Sequence, residues 1–171
     1  MEQATEILLE DSLGIEELVS LGEKQLLKGQ FSRGIKTFSK AEKILENHHP
    51  DFYYRMGLAL FEFGSDEGRE KALLLANKKF KTASNLYPES SEILQAWGNT
   101  LTLLGEKCEE HHFFLSAKEK YERALGLGEE SADLYWDYAV IWYHLALHSG
   151  EAYDYQRSLQ FFQKAADELE S

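Results

Sequence analysis

The sequence predicts an all-α chain folded as a solenoid of stacked antiparallel helix pairs. The first observation behind this is a spacing. Ala76-x3-Phe80-x2-Ala83, Ala117-x3-Tyr121-x2-Ala124 and Ser158-x3-Phe162-x2-Ala165 recur every 41 residues. The second is that the segment before each copy keeps the same step, with Met56-Gly57, Trp97-Gly98 and Tyr138-Ala139 also 41 apart. A register held over both halves of a unit marks a repeat architecture. The third is composition. The chain has 171 residues, 43% of them hydrophobic and 13% aromatic, with only 2 prolines and 12 glycines, which is enough to fill a core.

Each element has a local cause. Residues 1–14 form a leading segment in which Ile7, Leu8 and Leu9 suit a short helix that Gly14 breaks. The first repeat, about 15–48, is a shorter copy carrying Leu21-Gly22 and Gly34-x3-Phe38-x2-Ala41, and His48-His49-Pro50 reads as its end. Repeats two, three and four follow at about 50–89, 91–130 and 132–171. The Ala-x3-aromatic-x2-Ala spacing puts three residues on one helix face. A Gly or Ala on the preceding helix lets the two backbones approach closely. One such pair cannot bury its faces alone, so copies stack.

These residues resemble the tetratricopeptide repeat family, which has a large residue then Gly in helix A, Ala-x3-Phe-x2-Ala in helix B and a closing Pro. Repeat one matches with Leu21-Gly22, Gly29, Phe31, Phe38 and Ala41. Repeat two matches with Tyr53, Met56-Gly57, Gly64, Ala76, Phe80, Ala83 and Pro88. Repeat three matches with Leu94, Trp97-Gly98, Gly105, Ala117, Tyr121 and Ala124. Repeat four is weaker, with Ala139 for the Gly and Ser158 for the first Ala. The resemblance implies a right-handed superhelix of TPR-like helix pairs that binds other proteins.

The family period is about 34 residues. The extra seven fall between the Gly of helix A and the first Ala of helix B. Seven residues are close to two helical turns, so lengthening each helix by one turn keeps both buried faces in phase. A longer turn is the alternative. Gly64-Ser65-Asp66-Glu67-Gly68 reads as a loop with helix B beginning near Arg69, residues 107–113 read as helical, and the third turn lies near His148-Ser149-Gly150.

In the resembled family, helix A lines an inner groove. By that rule repeat one contributes Glu16, Val19, Glu23, Leu26 and Leu27. Repeat two contributes Asp51, Tyr54, Leu58, Phe61 and Glu62. Repeat three contributes Glu92, Gln95, Asn99, Thr102 and Leu103, and repeat four Asp133, Trp136, Val140, Tyr143 and His144. The column Glu16, Asp51, Glu92, Asp133 is acidic throughout. It supports the helix dipole whatever the ligand, and it also suits a peptide with apolar anchors and some basic residues. Phe38, Phe80, Tyr121 and Phe162 read as core. Tyr54, Phe61, Trp136 and Tyr143 are divided between groove and packing. The cationic clamp by which some members hold a terminal carboxylate is absent, since Val19, Glu23, Glu92 and Ala96 stand at its places.

Charge narrows the partners further. Lys and Arg total 18, Asp and Glu 30, and the net charge is −12, which repels nucleic acid and anionic membranes. The apolar run at 139–147 is too short to span a bilayer and is interrupted by His144. The N-terminus has no basic-then-apolar leader, and the single cysteine, Cys108, fits a reducing compartment, so the expected location is cytoplasmic. There is no phosphate loop, nucleophile elbow or cysteine pair, which argues against an enzyme, a cofactor or a metal. His144 and His148, at i and i+4, are the nearest thing to a metal pair, and Glu109 and Glu110 beside Cys108 make it a poor nucleophile.

The expected function is therefore an adaptor, scaffold or co-chaperone that holds a partner segment in the groove. One alternative is a chaperone of the class II type serving type III secretion with an apolar client, although its repeats have standard length. Another is a self-associating structural subunit. Adjacent Phe161 and Phe162 cannot share one helix face, so one is exposed at the last helix, for a missing cap, a homodimer contact through the C-terminal repeat or a longer parent chain.

Overall fold

The computed structural model describes residues 13–45, 49–66, 68–128 and 130–170. Within them lie eight α-helices and no strand: α1 (Ile15–Leu27), α2 (Phe31–Ile44), α3 (Pro50–Gly64), α4 (Glu70–Leu86), α5 (Ser91–Cys108), α6 (His111–Gly126), α7 (Ala132–Ser149) and α8 (Ala152–Glu170). The expected leading helix at Ile7, Leu8 and Leu9 lies outside the described residues. Consecutive helices pair as α1–α2, α3–α4, α5–α6 and α7–α8, one pair per repeat. None of the described helices is long and apolar enough to cross a membrane.

The starts repeat as the sequence does. Ser90 Oγ accepts the Ile93 N–H at 3.3 Å, and Ser131 Oγ accepts the Leu134 N–H at 3.3 Å, so equivalent serines cap α5 and α7. Proline occupies the first turn of α3, where its missing N–H leaves no helical bond unmade.

The extra seven residues go mostly into helix. Helix A ends five residues after Gly22 in repeat one, seven after Gly57, and ten after Gly98 and Ala139. Helix B begins three residues before Gly34 but six before Ala76, Ala117 and Ser158. Repeat two leaves five residues between its helices, whereas repeats three and four leave two. The stretch at 107–113 is thus not one helix: Glu109 adopts the left-handed conformation, φ 56°, and separates α5 from α6. The added turns keep the faces in phase through a second small-to-large contact. A Cβ on Gly64 would lie 2.7 Å from the Leu73 side chain, and one on Gly105 2.6 Å from the Phe114 ring.

Glu109 stands in register with Gly68 and Gly150, which take φ 73° and 71° at the same point of their turns. An L side chain there costs about 1–2 kcal/mol that glycine avoids. Glu109→Gly is expected to raise the thermal midpoint by roughly 2–4 °C, read by circular dichroism.

The primary close approach recurs at the first small residue of helix A. A Cβ on Gly22, Gly57 or Gly98 would fall 2.4, 2.7 or 2.5 Å from the ring of Phe38, Phe80 or Tyr121. Those three rings are fully buried, as expected. Repeat four solves the problem differently. Ala139 occupies the glycine place, Ser158 Oγ donates to the Ala139 carbonyl at 2.9 Å, and Phe162 is only half-buried. Phe161, 7% exposed, takes the core position instead. The expectation that Phe162 is core is corrected on that ground.

The buried side chains form two large clusters. One joins α1 to α4 around Phe38, Met56, Leu60 and Phe80, and the other joins α5 to α8 around Tyr121, Tyr138, Ile141 and Phe161. Trp97 of α5 packs against both, and its Nε1 donates to Asn77 Oδ1 at 2.6 Å across the boundary.

Candidate functional site

The first helices of successive repeats contact one another, α1 on α3 extensively and α3 on α5 and α5 on α7 lightly, and the second helices contact one another less than these. The row α1, α3, α5, α7 is therefore the inner, shorter side of the curve. Its helices are tied across the groove by side chains.

Arg55 on α3 makes the strongest tie. Its Nε and Nη2 donate to the two Glu23 carboxylate oxygens, each at 2.8 Å, and its Nη1 donates to Glu16 Oε1 at 2.6 Å. The fork geometry suits a guanidinium bridging two carboxylates. The Glu23 hydrogen bonds, with Glu16 behind them, hold Arg55 protonated well above its ordinary range despite partial burial. Tyr54 OH donates to Glu92 Oε1 at 3.0 Å and links α3 to α5. Burial, then the Glu92 carboxylate, raises the Tyr54 phenol well above its usual value. Gln95 Nε2 donates to Asp137 Oδ2 at 2.9 Å and links α5 to α7. His144 Nε2 sits 2.9 Å from Glu106 Oε1 on the same pair of helices.

Two of the cavities among the described residues open between the helices of this face. The larger, about 590 Å³, lies between α1, α3 and the 65–69 turn, with Leu26, Leu27, Leu58 and Phe63 as apolar wall and Glu23, Glu62 and Arg69 as polar wall. The smaller, about 230 Å³, lies between α3, α5 and α7, with Phe61, Leu103 and Val140 opposite Asn99, Glu106 and Asp137.

The residues expected in the groove divide. Glu23 and Leu58 line the larger cavity, and Phe61, Asn99 and Val140 line the smaller. Leu58, Trp136 and Tyr143 are exposed, the last two at 56% and 45%. Trp136 stands edge-on to Phe162 of α8, 4.8 Å between centroids, so it reaches toward the end of the stack. Glu16, Glu92, Asp51 and Asp133 are exposed at helix starts, and Asp51 lies 3.8 Å from His49. Gln95 is half-buried and held by Asp137. Tyr54 is half-buried between Phe80 and Glu92 and acts as a cross-link rather than a free wall. Val19 is fully buried in the α1–α4 cluster and does not belong to the groove. Its place on α1 turns toward α2 and α3, where an apolar β-branched side chain gains most from burial.

Arg55 and Asp137 were not among the expected groove residues. They stand at the same register position, two repeats apart, with Ser20 and Ala96 at the other copies. Neighbouring positions were read as groove, and a charge in a column of small residues was the available signal.

Among the described residues no group of three or more His, Cys, Asp or Glu could hold a metal ion. His144 stacks on Phe114, and His148 stacks on His111 at 3.8 Å, so the i, i+4 pair is engaged elsewhere. Burial, then Glu110 and Glu70, raises the Cys108 thiol. Glu110 was expected to act there, but burial leads and Glu70 replaces Glu109.

No family model matches the chain, and no curated protein does. Solved structures of MamA, a TPR-like protein, do match. MamA MSR-1 superposes with a TM-score of 0.68 at 19% identity, covering 94% of this chain and 79% of that one. MamA AMB-1 gives 0.66 at 18%, over 93% and 81%, and a further crystal structure of MamA gives 0.66 at 19%, over 97% and 84%. At these identities the likeness is one of fold. The chain is an all-α, TPR-like helical solenoid.

Proposed function

We propose that this chain is a non-catalytic scaffold that holds a segment of another protein along the α1–α3–α5–α7 face. The observation that carries the reading is the larger cavity. It is roomy, open at the inner face and mixed in character. Leu27, 73% exposed, and Leu58 offer apolar surface to a guest, while Glu62 and Asp66 ring it with charge. Such a mixture suits apolar anchors with polar neighbours. Among the described residues no convergent set of nucleophile, base and oxyanion donors accompanies it.

The test is hydrogen-exchange footprinting with a peptide selected on the chain from a random twelve-residue display library. The expected protection lies on α1, α3, α5 and α7. Protection confined to α2, α4, α6 and α8 overturns the reading.

A second reading, self-association through α8, is favoured by Tyr155, Leu159 and Leu169. They are 41%, 71% and 78% exposed and fall with Phe162 on one stripe at successive spacings of four, three and seven. That period suits a helix-to-helix seam between two copies. Light scattering reads it as doubled mass at high concentration, abolished by Leu159→Glu.

A further inference from the structure

We propose that the smaller cavity between α3, α5 and α7 is a subsite for one cationic side chain of the bound segment, an arginine or a lysine, with Asp137 as its acceptor. The inference rests on the groove reading above and adds the chemistry of one position in the partner.

Asp137 lacks a charged partner among the described residues. Its carboxylate lines the cavity and is half-buried, yet no lysine, arginine or histidine of the described residues pairs with it. Its partner is the neutral amide of Gln95, at 2.9 Å. Asn99 stands beside it, held by the Tyr121 hydroxyl, which donates to Asn99 Oδ1 at 2.6 Å. The carboxylate is therefore aimed by two fixed amides and neutralised by neither. Burial raises its pKa, the Gln95 and Asn99 amides offset part of that rise and Asp133 adds to it, so the free protein still bears a cost for keeping it ionised.

The same register position in repeat two gives the contrast. There the residue is Arg55, and it fills the space between α1 and α3 and neutralises Glu16 and Glu23. The N-terminal half of the groove thus supplies a cation to Glu16 and Glu23, and in the C-terminal half His144 meets Glu106 while Asp137 has no cationic partner among the described residues. Helices α5 and α7 carry Glu92, Glu106, Asp133 and Asp137 against one lysine, Lys107, and the histidines His144, paired with Glu106, and His148, stacked on His111. Lys107 is turned away, donating to the Asp66 carbonyl at 3.1 Å.

The walls suit a long cationic side chain. Phe61, Leu103 and Val140 cover an aliphatic stem, while Asp137 receives the head and Glu106, already 2.9 Å from His144, closes the rim. A guanidinium can meet Asp137 as Arg55 meets Glu23, and an ammonium can meet it as a point charge. The site selects charge first and shape second.

The experiment selects random twelve-residue peptides by display on the full chain and on its Asp137→Asn variant. Wild-type binders are expected to share one fixed Arg or Lys among apolar residues, and Asp137→Asn binders to lose that preference. For a consensus peptide, fluorescence anisotropy is expected to show at least ~10-fold weaker binding to Asp137→Asn. Replacing the arginine by citrulline, or the lysine by norleucine, is expected to remove the difference between the two proteins. The substitution leaves an amide oxygen for Gln95, and a midpoint no lower than wild type shows that folding is intact. Binders without a fixed basic residue, or a basic consensus that survives in Asp137→Asn, overturn the subsite and leave the groove reading standing. A library that yields no binder overturns both.

Discussion

Gly98→Val is expected to lower the thermal midpoint by roughly 6–12 °C. A Cβ at residue 98 falls 2.5 Å from Tyr121 Cε1 and 2.7 Å from Cζ, well inside contact distance. The ring cannot retreat. It is 1% exposed, and its hydroxyl is fixed by Asn99 at 2.6 Å and lies 3.2 Å from Thr102 Oγ1. Overpacking of this kind costs about 3 kcal/mol. The chain itself shows the other outcome. Where Ala139 replaces the glycine, the equivalent aromatic, Phe162, is half-buried and makes no such hydrogen bonds. The control is Gly126→Ala, since nothing lies within 4 Å of a Cβ there. Its midpoint is expected to stay level or rise. A Gly98→Val midpoint equal to wild type contradicts the packing account.

Trp97→Ala is the second large effect, and it concerns cooperativity. Trp97 is the aromatic packed against both core clusters. It is also held by Asn77 on one side and by Lys120, whose ammonium lies 4.4 Å from the ring centroid, on the other. Its loss costs about 3–5 kcal/mol. In a stack where each repeat touches its neighbours, that loss falls on the interface between halves. Native-state hydrogen exchange is expected to resolve two opening free energies, one for α1–α4 and another for α5–α8. A single shared value contradicts the two-cluster account.

The packing of this fold is legible in the register. Gly57 with Phe80 and Gly98 with Tyr121 follow from a spacing, because a glycine facing an aromatic one helix away has one steric meaning. The short turn at Glu109 is not legible, because glutamate favours helix and nothing local marks the left-handed residue. Only its register with Gly68 and Gly150 does so. Val19 was misplaced because the rule for groove positions ignores that α1 is covered on two sides. Arg55 and Asp137 escaped because their roles depend on partners 32 to 42 residues away in sequence. Long-range polar pairing leaves no local pattern.

The most direct measurement is the affinity of a display-selected peptide for four single variants. Two place a carboxylate on the inner face, Leu58→Glu and Tyr143→Glu. Two place one on exposed leucines of the second helices, Leu74→Glu and Leu115→Glu. Burying a new charge against an apolar anchor costs more than leaving it in water. The inner variants are therefore expected to weaken binding by at least ~10-fold, with the outer variants unchanged. Binding lost in the outer variants and kept in the inner ones would contradict the claim that the α1–α3–α5–α7 face holds the partner.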